Sequence, residues 1–332
     1  MNILIISDYN IAGQPTALMR AINKHTPHSA RCIITNDDQF QYDYDILMTQ
    51  ANMQEATDLV HNWAEFYHFG SFIFNWPNVD FNKILGTRNC CIKYYGTFLR
   101  QDGARIRDYH RKTGIAAITG NDFTITGLLD GSYYHINSYF TAYSDLPRKE
   151  IPFCRPFDGE VLKICAGSAG NPIKRYDLFV EAVNELNKEG FDVELDLISG
   201  VSNKEALERK LDCQATFTSL HGGWGISGVE SMFMGHAVLA CLDPFVLSMF
   251  PDQPALLVNS KEMIKERIKA LFYPGVWTGI SKRSRSFALM NFRSRDIVAR
   301  YMYILDLIKN RDKYLIGYTL PEVVYGPNYG AV

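Results

Sequence analysis

The chain has 332 residues, with 34 Lys and Arg against 36 Asp and Glu, a formal charge of −2, and 47% hydrophobic against 21% charged residues. A single core seldom serves such a length, so two domains of roughly 150 residues are expected. The balance fits a soluble globular chain and excludes the overall basic charge of a nucleic-acid binder, and no apolar run nears the roughly 18 residues of a membrane helix.

Residues 2–7 are apolar and β-branched and predict a buried strand rather than a signal peptide. A loop through Gly13 and Pro15 follows, then a helix over 16–24 and a strand over 30–35. This strand–loop–helix–strand opening predicts a doubly wound parallel sheet. Further elements are read at 59–63, 66–68, 90–95 and 115–119, and Asp43 and Asp45 are read as a solvated turn. Residues 138–156 are polar, carry Pro147, Pro152 and Pro156, and read as a linker. The pattern then restarts, with strands at 161–166, 193–199 and 215–220 and helices at 176–188 and 205–211. Helical patterns run over 260–272 and 281–309, and the tail reads as irregular. Domains are therefore expected at 1–150 and 151–310, with a tail over 311–332. The seven cysteines are odd in number and scattered, and several lie in apolar runs. They read as reduced and buried, which predicts a cytoplasmic protein.

The run from His221 to Ala240 carries the strongest chemical signal. Gly222, Gly223 and Gly225 let backbone approach a ligand, and Ser227, Gly228 and Val229 are expected to open a helix. A helix N-terminus presents free N–H groups and the positive dipole end, which suit a phosphate. Glu230 is then expected in the first turn, placed to accept from a ribose diol, and Gly235 ends the helix. A second element, from Gly167 to Asp177, joins a strand to a helix and offers Lys174 and Arg175 to a diphosphate. A cation at one strand end and a carboxylate at another meet the needs of a nucleoside diphosphate.

On these residues the chain resembles the retaining GT-B glycosyltransferases, the large group 1 family that builds bacterial envelope glycans. Ser168, Asn171 and Lys174 match its Ser-x-x-Asn…Lys-Gly loop, with Arg175 where the family usually has Gly. Glu230, Met232 and Gly235 match the second half of its Glu-x7-Glu signature, with Gly222 where the first Glu falls. In the first domain Gly13 matches a diphosphate-approach loop, and the segment from Tyr94 to Arg100 matches a Tyr-His-Gly-Ser/Thr-x-x-Arg element with Tyr95 in place of His.

The resemblance implies an α/β GT-B fold, with two Rossmann-like domains facing an interdomain cleft. It implies Lys174, Glu230 and Arg175 as the catalytic group. Gly13, Ser168, Asn171, Lys174, Ser199, Gly200, Ser227, Gly228, Val229 and Glu230 would hold the nucleotide sugar, UDP- or GDP-linked. Tyr95, Thr97, Arg100 and His68 would lie on the acceptor side. No metal and no separate cofactor are expected; Lys174 and backbone amides would stabilise the leaving diphosphate.

The acceptor is read as an envelope glycan or lipid-linked sugar, with peripheral contact at the inner membrane face. The basic run of Arg100, Arg105, Arg107, Arg111 and Lys112 is read as a solvated helix face or as a surface for anionic lipid headgroups or nucleic-acid phosphates. Three alternatives stand beside it: a phage-type enzyme acting on hydroxymethylated DNA bases, a GT-B sugar-nucleotide epimerase, and an inactive nucleotide-sugar-binding subunit. Oligomeric state is not addressed by the sequence.

Overall fold

The computed structural model describes residues 1–36, 42–70, 76–87, 89–94, 96–119, 133–135, 139–167, 174–220, 223–242 and 244–310. For 96–102, 107, 111, 119, 133–135, 245 and 249 it describes the backbone alone. The chain forms two compact units, one from Met1–Asp38, Tyr42–Ser138 and Arg295–Val332, the other from Gln39–Gln41 and Tyr139–Ser294.

Unit 1 is a parallel sheet of seven strands. These are β1 (Asn2–Ser7), β2 (Ser29–Ile34), β3 (Ile46–Leu47), β4 (Phe66–Gly70), β5 (Cys90–Tyr94), β6 (Ala116–Thr119) and β7 (Tyr133–His135), ordered β3-β2-β1-β4-β5-β6-β7. In β1, Ile3 to Ile6 are fully buried, as a central strand covered on both faces requires. Helix α1 (Gln14–His25) follows β1. Helices α2 (Met53–Asp58), α3 (Phe81–Gly86) and α4 (Gly96–Thr113) supply one face of the core, where Ile84, Leu85 and Ile106 join Leu4, Ile6, Cys90 and Ile92.

Unit 2 is a parallel sheet of five strands: β8 (Leu162–Gly167), β9 (Val193–Ile198), β10 (Ala215–Ser219), β11 (Ala237–Ala240) and β12 (Leu256–Leu257). Their order is β12-β11-β10-β8-β9. Its helices are α5 (Tyr176–Lys188), α6 (Asn203–Leu211), α7 (Gly225–Met234), α8 (Pro244–Met249), α9 (Lys261–Leu271) and α10 (Val276–Asn291). Gly235 closes α7 in the left-handed conformation, φ +86. Beneath the start of α7, Trp224 packs on Phe250 and Phe287 at centroid distances of 5.8 and 5.7 Å.

The division differs from the expected domains in two places. Residues 139–156 are no free linker but are fastened to unit 2. The Arg285 guanidinium donates to the carbonyls of Arg148, Ile151, Pro152 and Phe233, and Arg293 donates to that of Leu146. The Cys154 N–H reaches the Met234 carbonyl at 2.9 Å. The helical pattern over 281–309 is two helices, α10 and α11 (Ser294–Lys309), separated by Phe292, which leaves helical geometry. Helix α11 belongs to unit 1, where the Tyr301 hydroxyl lies 2.7 Å from His68 Nδ1. All seven cysteines are free thiols, six of them buried. No helix among the described residues is long and apolar enough to cross a membrane. The tail expected at 311–332 lies outside the described residues.

Candidate functional site

Ligands of open α/β sheets bind beyond the strand C-termini, where the strand order reverses. In unit 2 that point lies between β8 and β10: the chain passes from β8 outward to β9, then returns to β10 on the other side. The two sequence motifs follow these two strands, so topology brings them together.

Lys174 stands after β8. Its ammonium donates to the Gly167 carbonyl at 3.5 Å and lies 5.8 Å from the centroid of the Tyr176 ring. The Tyr176 hydroxyl bridges two strand ends, meeting the carbonyls of Gly167 and Thr218. Burial raises its phenol far above the usual range. Ser227, in the first turn of α7, is close by: a Cβ built on Gly167 would lie 3.3 Å from its Oγ.

Helix α7 opens at Gly225, earlier than expected. The N–H groups of Gly225, Ile226 and Ser227 form its first turn and lack helical partners. The Gly228 N–H is already bound to the Trp224 carbonyl at 3.0 Å. Gly228 and Val229 are therefore buried helix interior rather than free phosphate donors. The expectation for those two is corrected. Gly228 serves close packing instead, since a Cβ there would lie 2.8 Å from Trp224 Cβ and 3.0 Å from Thr218 Cγ2. Gly223 and Gly225 take φ of +94 and +58, and a Cβ on either would meet nothing within 4 Å. Gly225 is partly exposed at the start of the helix, whereas Gly223 is buried and its N–H is bound to the Cys241 carbonyl at 2.9 Å.

Glu230 lies in the second turn of α7, not the first, and is buried. Its Oε2 accepts from Lys210 Nζ at 2.7 Å, and its Oε1 from the Asn203 amide at 3.4 Å. Lys210 also donates to the Ser227 carbonyl at 3.3 Å. Neither Lys210 nor Asn203 was singled out from the sequence. The available signal was a lysine four residues after Ala206, which lies on the packed face of α6.

Arg175 has φ +56, a left-handed conformation that favours glycine. Its guanidinium is held by Asp177, with Nε 3.0 Å from Oδ1 and Nη2 2.9 Å from Oδ2. Ser199 and Gly200 follow β9 and are exposed, and Ser202 caps α6 by accepting from the Glu205 N–H at 3.2 Å. Ser168, Asn171, His221 and Gly222 lie outside the described residues.

With this geometry in place, solved structures can be set beside the chain. An α-glucosyltransferase solved with UDP and a 13-mer DNA containing a central A:G mismatch is similar over 92% of this chain and 100% of its own, at 11% identity and a TM-score of 0.61. Anabaena HepE in complex with UDP-glucose is similar over 92% of this chain and 99% of its own, again at 11% identity and 0.61. The O-GlcNAc transferase of Thermobaculum terrenum, a K341M mutant, is similar over 95% of this chain and 69% of its own, at 11% identity and 0.56.

The fold is that of the GT-B glycosyltransferases.

No protein-family model matches the sequence, and no curated protein matches it. The likeness is thus one of backbone architecture. As a GT-B fold, unit 1 carries the remaining expected residues. Gly13 has φ +69 and ends a turn in which Ala12, at φ +49, is also left-handed. The Gly13 N–H is bound to the Asn10 carbonyl at 2.8 Å, and the Tyr42 ring lies 2.7 Å from where a Cβ would stand. That amide is occupied rather than offered. His68 is buried, hydrogen-bonded to Tyr301, and burial lowers its imidazole to about 3. It is a neutral core group and does not face an acceptor. Thr97 and Arg100 lie on the backbone of α4, and their side chains, with Tyr95, lie outside the described residues. Asp45 is no solvated turn: it accepts from Arg31 Nε and the Cys32 N–H, each at 2.8 Å, while exposed Asp43 pairs with Arg20. Among the described residues no group of three or more His, Cys, Asp or Glu could hold a metal ion.

Sequence reading also missed Asp8, at the C-terminal end of β1 beside the strand reversal of unit 1. Half-burial raises its carboxyl above the ordinary range, against a lowering hydrogen bond from Thr35.

Proposed function

We propose that the chain is a glycosyltransferase that moves a sugar from a nucleoside diphosphate donor to a hydroxyl acceptor with retention. One observation carries the reading: Lys174, the first turn of α7 and Glu230 gather around the strand reversal of one sheet. In this reading the Lys174 ammonium and the N–H groups of Gly225 to Ser227 meet the diphosphate. They stabilise the charge that grows on it as the glycosidic bond breaks. Glu230 accepts from the ribose diol, and the exposed edge at Ser199 and Gly200 meets the base. The bond from the anomeric carbon to the diphosphate oxygen breaks, the acceptor oxygen bonds that carbon on the same face, and the leaving diphosphate takes up the acceptor proton. UDP is the preferred nucleotide, because two of the similar structures hold UDP or UDP-glucose.

The acceptor is read first as a lipid-linked or envelope glycan at the inner membrane face. A modified DNA base is the second reading. It is favoured by the likeness to a glucosyltransferase solved with DNA, which this chain matches over that protein's full length. The test is incubation with a panel of UDP- and GDP-sugars, each with lipid-linked glycan or hydroxymethylated duplex. Diphosphate release and the anomeric configuration of the product are the readouts. Diphosphate binding with no turnover of any donor would sink the enzymatic reading, and interconversion of donors without transfer would make the chain an epimerase. Retention on anionic liposomes but not duplex DNA removes the DNA reading, and the reverse pattern removes the lipid one.

A further inference from the structure

Lys210 is 3% exposed by side chain, and its partner Glu230 is 6% exposed. Burying such a pair is seldom a gain in stability over apolar side chains of similar volume, because both ions lose their hydration. The geometry supplies another reason for its presence. A carboxylate offers about four lone-pair positions. Lys210 occupies one on Oε2 and Asn203 one on Oε1, so about two remain, the number a vicinal diol fills. Both gripping side chains come from α6, so one helix fixes the orientation of a carboxylate on another. The Lys210 ammonium also reaches the Ser227 carbonyl in the first turn of α7. A single cation thus ties the carboxylate to the turn that presents free N–H groups. It also compensates the negative charge of Glu230 one helical turn from where a diphosphate would sit, which reduces like-charge repulsion.

We infer that Lys210 and Asn203 are a positioning pair for Glu230, and that through it they make the site select ribonucleoside over 2′-deoxyribonucleoside diphosphates. The inference rests on the nucleotide-sugar reading above. Neither residue touches the donor itself; both act by aiming the carboxylate that does.

The experiment is calorimetric titration of the full chain with UDP, GDP, 2′-deoxy-UDP and 2′-deoxy-GDP. The wild type should prefer one ribonucleotide over its deoxy counterpart by about tenfold or more, as for hydrogen bonds to a charged group. Asn203→Ala should shrink that ratio to within about threefold with the deoxy affinities little changed, and Lys210→Met should shrink it as far while lowering all four affinities, because the Glu230 charge then goes uncompensated. General loosening of the site would weaken both nucleotides alike, and that outcome overturns the inference. So does an unchanged ratio in either folded variant. If Lys210→Met does not fold, Asn203→Ala, which keeps the ion pair, decides. A wild type that binds no diphosphate, or binds without ribose preference, instead removes the donor-site reading on which the inference stands.

Discussion

The Leu220 N–H donates to the Lys174 carbonyl at 3.2 Å, binding the loop after β8 to the end of β10. A backbone bond thus holds the Lys174 loop beside the contacts of its side chain. Lys174→Met should keep the melting temperature and lower kcat by about 100-fold or more, the usual effect of losing one charge-stabilising donor. Steady-state kinetics beside a thermal melt check this; unchanged kcat would remove Lys174 from the chemistry.

Glu230→Ala should weaken donor binding by about 1.5–3 kcal/mol, as for hydrogen bonds to a charged group. It also strands the Lys210 ammonium in the interior, which should destabilise unit 2 by about 3–5 kcal/mol. Denaturant unfolding and calorimetry separate the two effects. A folded variant with wild-type donor affinity would leave Glu230 a structural ion-pair partner only.

Arg175→Gly should raise the melting temperature by about a few degrees, because glycine adopts φ near +56 without steric cost. Donor affinity should stay within about twofold, since Asp177 already engages the guanidinium and the remaining cation is Lys174. A larger loss of affinity would return Arg175 to the diphosphate.

Gly228→Ala should destabilise by about 1–3 kcal/mol, because its Cβ would intrude on Trp224 and Thr218, both buried in the core. Chemical denaturation measures it, and neutrality would show that α7 can shift on β10.

Two acid effects should be separable. His68 is held neutral, its imidazole lowered to about 3 by burial. The unfolded chain takes up a proton near pH 6.5 that the folded chain refuses. Stability should therefore fall as pH drops from about 6.5 toward 3, at up to about 1.4 kcal/mol per pH unit. His68→Gln should flatten that slope. Glu185 bridges Lys261 and Lys265, and those hydrogen bonds lower its carboxyl to about 2. Its contribution is present above the ordinary carboxylate range and is lost as pH falls from about 4.5 toward 2. Glu185→Gln should remove that lower step, and salt should weaken it. Melting curves across pH test both.

The parallel sheets, α1, α5 and the close of α7 at Gly235 were legible in the sequence. Buried parallel strands read as unbroken apolar runs, and the helices carry a clean apolar periodicity. The pairing of Lys174 with α7 was legible too, because each motif sits directly after a strand. The start of α7 was misjudged because Gly225 at φ +58 reads as loop. The boundary of unit 2 was misjudged because Arg285 and Arg293 fasten residues 143–152 to it through carbonyls, which leave no trace in side-chain chemistry. Lys210 was overlooked for a similar reason. Its partner is 20 residues away on another helix, and only the packing of α6 against α7 brings them to 2.7 Å.

Because α11 completes unit 1, the order of synthesis is not the order of assembly. Residues 139–294 leave the ribosome before α11 exists. Tyr301 cannot reach His68 until residues 139–294 have been made. The usual sequence, in which the N-terminal part folds first during translation, is reversed for the final closure here. A chain stopped before residue 295 should hold a finished unit 2 and a unit 1 in which His68 lacks its Tyr301 partner.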